Sequence, residues 1–484
     1  MPLPFYLSCI AILVFCWVAW QGRRFGWGIP MAMVLGTVGL WYVGDVLYND
    51  FGEYLKTLGS SSLTSAWWQV LWFVVAFGMM VKPLHGLINA KLAGRRSHAM
   101  AYFETNRLRR PEVQRRIDIL GGGLLGAWLI LMVIGLVRVE GDVIGLFAPY
   151  LGERANPWAR GQIGGGFSAA VSLAGYLQIF LTSSFGVLAA LALHPKTRNI
   201  ALIVCALALP YYIFSRTRNT MLATMLPGIM AFVFMRVRGG LLKKGCLLFG
   251  FFILVNFWFT VVMANREGMS FDIDGALSTS KESLDETRHE GLNMLEELAW
   301  IDRLIKRGTY FPNFGERYFA ELVNPIPRGL WKNKPMIGLD YAEARGFAGT
   351  GSKGETVATM STGMIGQGVV NFGRIGGPLA AAFLMALWVS LLARQDLLGS
   401  DPARLILYGT GLMLTINLGR DITLLTTYPF FFGLGLLWFW NRFLRPKEPA
   451  PRRRKKVRGR AKSRREGRKS PRHAQVEREV ENSR

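Results

Sequence analysis

Residues 119–137 read ILGGGLLGAWLILMVIGLV, nineteen positions without a charged side chain, entered from Arg115 and Arg116 and left at Arg138. A run of this kind matches the roughly 20 residues a helix needs to cross a hydrocarbon core. Inside lipid the backbone has no water to bond to, so an uninterrupted spanning segment must be helical. Blocks of the same character occupy residues 3–20, 27–47, 64–82, 165–193, 199–214, 219–235, 246–264, 373–392, 404–419 and 422–441. The expected fold is an all-α polytopic membrane protein with about eleven transmembrane helices. The first block has no basic stretch before it and no small-residue cleavage pattern after it, so it reads as a retained helix rather than a leader.

The charges between the blocks set a direction, because Lys and Arg concentrate on the cytoplasmic side. Arg23 and Arg24, then Lys91 to Arg116, then Lys196 and Arg198, then Arg236 to Lys244 fall in alternate connections. The intervening ones are acidic or mixed. This register places the N-terminus outside and the C-terminus in the cytoplasm. It divides the chain into helices over 1–264, a large extracytoplasmic loop over 265–372, three more helices over 373–441, and a tail over 442–484.

The tail carries about half of the net charge of +25 and almost no apolar residues, the composition of a disordered segment. Directly behind a membrane helix, such a basic run is expected to meet anionic lipid headgroups, not nucleic acid. Cys9, Cys16, Cys205 and Cys246 all lie in apolar blocks and read as small hydrophobic side chains. No metal-ligand spacing, phosphate loop or Ser-His-Asp order occurs, and no cofactor is expected.

Within the large loop, Met294, Leu298, Ile301 and Ile305 recur at helical spacing, with Glu296, Glu297, Arg303 and Lys306 on much of the remainder. This is an amphipathic helix expected to lie on the membrane surface or to cap the bundle. Further on, prolines hold Arg328, Trp331 and Lys334 in fixed directions. Arg328 and Lys334 are candidate oxyanion donors and Trp331 a stacking face for a sugar. The simpler alternative is a rigid surface loop with solvated charges.

Other candidates stand on the same side. Arg216 and Arg218 lie in a short outward turn, against the charge register, and Arg218 opens a helix whose free N–H groups favour anions. Arg420 and Asp421 share the last outward turn, as a site pair or as a structural ion pair. The glycines of Gly363–Gln367 and of Asn371–Arg374 permit a bent entry into the membrane. His289, Glu355 and Asp340 are the remaining acid–base candidates. Cations converging in one outward hollow would suit a diphosphate leaving group.

Pro327-Arg328-x-x-Trp331-x-x-Lys334-Pro335, followed by Gly366-x-x-x-x-Asn371-Phe372-Gly373-x-x-Gly376, resembles the Wzy-type polysaccharide polymerases of bacteria. The helix layout, the late outer loop and the positions of Arg216, Arg218 and Arg420 share the likeness; the rest matches in layout only. Gln367 stands where many relatives carry glutamate, and an amide cannot act as a general base. The resemblance implies a GT-C-like membrane glycosyltransferase in the bacterial inner membrane, inverting and metal-free. It would join polyprenyl-diphosphate-linked oligosaccharides into O-antigen, capsule or exopolysaccharide, alongside a chain-length regulator and a flippase. In that reading Arg216, Arg218, Arg328, Trp331, Lys334, Asn371, Arg374 and Arg420 bind substrate, and His289, Glu355 or Asp421 handles the proton. The alternatives are a ligase-like transfer to another acceptor, a transporter of lipid-linked sugars, and a scaffold of an envelope assembly.

Overall fold

The structure is a computed structural model that describes residues 1–49, 51–100, 110–148, 158, 168–214, 218–264, 293–323, 326, 331, 333–335, 339–346, 361–399 and 401–444. Among these residues the secondary structure is helical throughout, and the protein is an α-helical membrane protein. Each apolar block of the sequence is a helix. In chain order they are α1 (Leu3–Gly22), α2 (Gly28–Val38, continued by a π-helical turn Gly39–Val43 into α3, Gly44–Tyr48), α4 (Phe51–Leu58), α5 (Ser60–Ile88) and α6 (Pro111–Arg138). There follow α7 (Val143–Phe147), α8 (Ser168–Leu191), α9 (Pro195–Ile213), α10 (Arg218–Met235) and α11 (Leu241–Ala264). Then come α12 (Met294–Lys306), α13 (Glu316–Val323), α14 (Leu339–Ala344), α15 (Gly363–Leu397), α16 (Pro402–Leu418) and α17 (Leu424–Phe439). By length and composition, 6 of the described helices are fit to cross a membrane.

The chain forms two compact units, residues 1–437 and Trp438 onward. The described part of the second is the end of α17 and a π-helical turn, Trp440–Leu444, in which Phe443 meets Trp438 at 6.0 Å.

In the first unit the helices share two ends. At one, Ser97 donates its backbone N–H to Arg24, Ala99 donates to the Asp396 carboxylate, and Arg404 bonds Gln395. Leu193 bonds Gln114 at this end, and Arg236 bonds the Ala190 carbonyl. The basic connections of the sequence thus gather at one end of the bundle. At the other end lie α3, α4, α12, α13, α14 and the turn after α16. The start of α10 belongs there too. Gly228 of α10 meets Gly186 of α8 backbone to backbone, and Arg236 sits beside Ala190, so the two helices run parallel. Near its start α8 sets Tyr176 edge to face with Tyr428 of α17, at 5.1 Å.

The long helix α15 is two arms. Gly373 has φ 73° and ψ −175°, a backbone state open in practice to glycine alone. The chain reverses there. A Cβ on Gly368 would lie 2.2 Å from the Gly377 carbonyl oxygen, so the short arm, residues 363–372, packs against the start of the long arm, residues 374–397. The bent entry expected from the glycines is present. The stretch counted as the end of the large loop is itself a helix buried in the bundle: Met364, Ile365, Gln367, Val369, Val370 and Asn371 are all fully enclosed.

The amphipathic helix foreseen over 294–306 caps the bundle as α12. Met294, Leu295, Leu298, Ala299 and Ile301 are buried. The acidic residues of the helix are not left to solvent either. Glu296, Glu297 and Asp302 are buried as well. Glu297 accepts from the Tyr341 hydroxyl and pairs with Arg345 at 3.1 Å. Asp302, with no exposed side-chain surface, pairs with Lys306 at 2.6 Å and Arg374 at 2.7 Å, and accepts from Ser65 and Gln69. A buried carboxylate needs that complement to offset its desolvation.

Gly373→Ala and Gly368→Ala are expected to lower stability in detergent by about 1–3 kcal/mol each through backbone strain and overpacking. Gly409→Ala, whose Cβ would meet open space on α16, should be neutral or slightly stabilising. Thermal unfolding of the three variants checks the ordering.

Candidate functional site

The short arm of α15 begins inside the bundle, where its first N–H groups need acceptors. They find them on two other elements. The Thr362 N–H and hydroxyl both donate to Asp421 Oδ1 at 3.1 Å, the Met364 N–H donates to the Gly419 carbonyl, and the Ile365 N–H donates to the Tyr42 hydroxyl at 3.0 Å. Gly363, at φ 76°, has no room for a side chain, because Tyr42 Oη would sit 2.5 Å from its Cβ. Gln367 Oε1 accepts from the Ile422 N–H at 2.7 Å, and Arg420 Nε donates to Ser361 Oγ at 2.9 Å. The short arm and the turn after α16 therefore hold each other.

Helix α13 lies against this pair. Asn371 Oδ1 accepts from the Tyr318 N–H at 3.3 Å, and the Val370 carbonyl accepts from the Asn313 N–H. Arg317 is 5% exposed, and its Nη2 lies 3.9 Å from Asp421 Oδ1. One helical turn later Glu321 is 4% exposed. Burial pushes its carboxyl up to about 7, the Asp421 charge pushes in the same direction, and Arg317 opposes both. Three buried polar atoms along this seam have no hydrogen-bond partner among the described residues: Glu321 Oε2, Tyr318 Oη and Gln367 Nε2. Buried polar atoms are nearly always paired, so these three are candidates for contact with water or a ligand.

Of the residues singled out in the sequence, the structure brings Arg420, Asp421 and Asn371 to this seam. Asn371 is turned inward, its amide donating to the Gln367 carbonyl at 2.7 Å. Arg374 is directed elsewhere, to Asp302 and to the Ser65 hydroxyl at 2.8 Å. Lys334 donates to the Ile326 carbonyl at 3.0 Å, and Trp331 meets the edge of Phe319 at 6.2 Å. Asp340 accepts from Tyr310 at 2.6 Å and from Asn313. Arg218 opens α10 at the same end of the bundle. Arg216, His289, Arg328 and Glu355 lie outside the described residues. Among the described residues no group of three or more His, Cys, Asp or Glu side chains is placed to hold a metal ion.

Arg317 and Glu321 were not singled out from the sequence. Their signal was available: two opposite charges one turn apart in Glu316-Arg317-Tyr318-Phe319-Ala320-Glu321. Nothing in the pattern, read for a water-facing helix, says that the charged side faces inward.

No known protein family, curated protein or solved structure matches the chain by sequence or by fold.

The Glu321 carboxyl, ordinarily near 4.5, is held protonated in the folded chain up to about 7. The unfolded chain releases that proton earlier, so folding stability is full below about pH 4.5, falls between there and about pH 7, and is level above. Glu321→Gln should flatten this part of the melting profile, raising the Tm at pH 8 and leaving it unchanged at pH 4.

Proposed function

We propose that this chain is a membrane glycosyltransferase that polymerises polyprenyl-diphosphate-linked oligosaccharide repeat units. In this reading it spans the bacterial cytoplasmic membrane about eleven times, in a GT-C-like arrangement. The basic end of the bundle faces the cytoplasm, by the rule that Lys and Arg stay inside. The end bearing α12, α13 and the Asp421 turn then faces outward, where the lipid-linked repeat units await assembly.

The observation that carries the reading is the set of buried Arg317 and Glu321 with half-buried Asp421 and nearby unpaired polar atoms, flanked by Arg420. Glycosyl transfer from a diphosphate needs little more. A hydroxyl of the acceptor unit attacks the anomeric carbon, the bond from that carbon to the diphosphate oxygen breaks, and inversion follows from attack on the opposite face. Glu321, titrating near neutrality, takes the hydroxyl proton. Arg317 and Arg420, with Arg216, Arg218 and Arg328 from elsewhere in the chain, meet the charge growing on the departing diphosphate. Trp331 and Lys334, beyond the end of α13, are the proposed contacts for the saccharide. Gln367 needs no catalytic part: its carbonyl oxygen holds the turn at Ile422.

The broken helix α15 favours a second reading, a transporter of lipid-linked sugars, because transporters often bind anions at the N-terminus of a half-helix. Here the N–H groups of that half-helix are already committed to Asp421, Gly419 and Tyr42.

Purified protein given one lipid-linked oligosaccharide should yield a ladder of products. A single transfer product would indicate a ligase, and no product with movement of substrate across vesicles would indicate a transporter. Glu321→Gln should reduce turnover by about 10²–10⁴-fold, the range of general base catalysis, with intact folding. Arg317→Lys should lower turnover as well, since a lysine loses the planar bidentate grip. Full activity of Glu321→Gln would remove the assignment of the base.

A further inference from the structure

Helix α13 is built inside out. Its two central charges, Arg317 and Glu321, are buried along with Ala320 and Val323, while Phe319 is 48% exposed and Leu322 is 63% exposed on the other side, where the exposed Glu316 begins the helix. The same surface continues through Phe311 at 75%, Phe314 at 88% and Ile326 at 38%. In water this arrangement is unfavourable twice over, because burying charge costs free energy and exposing phenyl rings forgoes it. It is the stable arrangement only where the surroundings are apolar and the interior is polar. Phe314 sharpens the point. Its backbone sits at φ 50°, a left-handed conformation costly for a bulky residue, and its ring makes almost no contact with the rest of the chain.

The position of this ridge says what lies outside it. Phe372, at the reversal of α15, tilts against Tyr318 at 6.2 Å and approaches Gly315, so the ridge adjoins the start of the long arm of α15. There Ile375 is 74% exposed and its carbonyl accepts from the Trp72 indole of α5. From Trp72 and Ile375 the exposed apolar surface runs on through Trp68, Met79 and Phe383, along helices of membrane-crossing length. The ridge is thus the upper edge of the surface that those helices present to lipid, and its aromatic content suits the headgroup boundary, where such rings concentrate.

We propose that Phe311, Phe314, Phe319 and Leu322 form a membrane-embedded ridge, inserted into the acyl–headgroup boundary of the bilayer, so that α13 is an interfacial helix with lipid on its outer face. The Arg317–Glu321 pair then lies one helix diameter from lipid, reachable from the side as well as from above. The inference stands on exposure and packing alone and does not depend on the glycosyltransferase reading.

The test uses the full chain with Cys9, Cys16 and Cys246 replaced by serine and Cys205 by alanine, reconstituted into phospholipid vesicles. A nitroxide is attached at Phe314→Cys, Phe319→Cys or Leu322→Cys, with Phe383→Cys as the lipid-facing reference and Glu343→Cys, exposed in the same region, as the aqueous one. Power saturation compares collision with oxygen, which partitions into lipid, and with a water-soluble nickel chelate. The expected result is an oxygen-to-nickel ratio at positions 314, 319 and 322 that approaches the Phe383 value and exceeds the Glu343 value several-fold. Ratios matching Glu343 would overturn the proposal. Shielding from both reagents would overturn it as well, since that is the signature of a protein partner or a second copy on the ridge. Should labelling at Phe319 disturb folding, Phe314 touches too little for a label there to do so and decides the question by itself.

Discussion

A helix that stops inside an apolar bundle leaves N–H donors with no water to turn to, and that constraint organises this end of the protein. The short arm of α15 starts at Gly363 and reverses at Gly373, fully enclosed for most of its length. Each unmet backbone group in such a setting costs about 1–3 kcal/mol or more. The cost is avoided because the turn after α16 and the π-helical turn that follows α2 supply acceptors where the arm begins. Asp421, Gly419 and Tyr42 come from parts of the chain more than three hundred residues apart in sequence, as the bond between Ile365 and Tyr42 records. The far end of the arm is met by the backbone at Asn313 and Tyr318. The candidate site is the space these obligations define, so its geometry follows from backbone satisfaction before any question of substrate.

The same logic repeats at α12. Its first free N–H groups, on Leu295 and Glu296, donate to the carboxylate of Asp45, at 2.7 and 3.3 Å. Asp45 also receives Tyr54 and Asn49. A carboxylate at a helix N-terminus is favoured by the helix dipole, and here it is contributed by a different element across some 250 residues of sequence. Asp302 at the other end of α12 gathers Arg374 from α15 and Ser65 and Gln69 from α5. The cap helix is thereby pinned at both ends by buried carboxylates. Arg374, which the sequence placed among substrate contacts, spends its charge in this fastening.

What could be read in advance follows from which signals survive transfer from water to lipid. Apolar runs such as residues 119–137 identify their helices without any knowledge of neighbours, and the glycines at 363–373 announced a tight approach because no other residue tolerates one. The stripe Met294, Leu298, Ile301 was equally legible. The acidic positions between them were not. Glu297 and Asp302 look like a solvated face until their partners Tyr341, Arg345, Arg374 and Ser65 are known, and those lie 44 to 237 residues away. For α13 the failure is one of sign. Amphipathicity fixes which residues share a side, whereas the direction of that side depends on the medium, and a sequence window contains no medium. Arg317 and Glu321 drew no notice because the pattern over 316–323 does not say which exterior the helix meets.

That inversion also separates the two carboxylates of the site. Asp421 accepts the Thr362 N–H and hydroxyl at the head of a buried helix and lies beside a buried guanidinium. Its carboxylate is committed to the head of the short arm, so its part in the site is positional. Glu321 has no such duty: its Oε2 makes no hydrogen bond among the described residues, and its own surroundings hold it near the point where proton uptake and release are balanced. The charge of Asp421 contributes to that balance by raising the affinity of Glu321 for a proton. One acid is fixed so that the other can change, and the arginine between them keeps the pair from carrying two uncompensated charges in a low-dielectric seam. A site arranged this way is suited to taking a proton from a neutral hydroxyl near pH 7, and the turn that carries Asp421 serves it by electrostatics and by position.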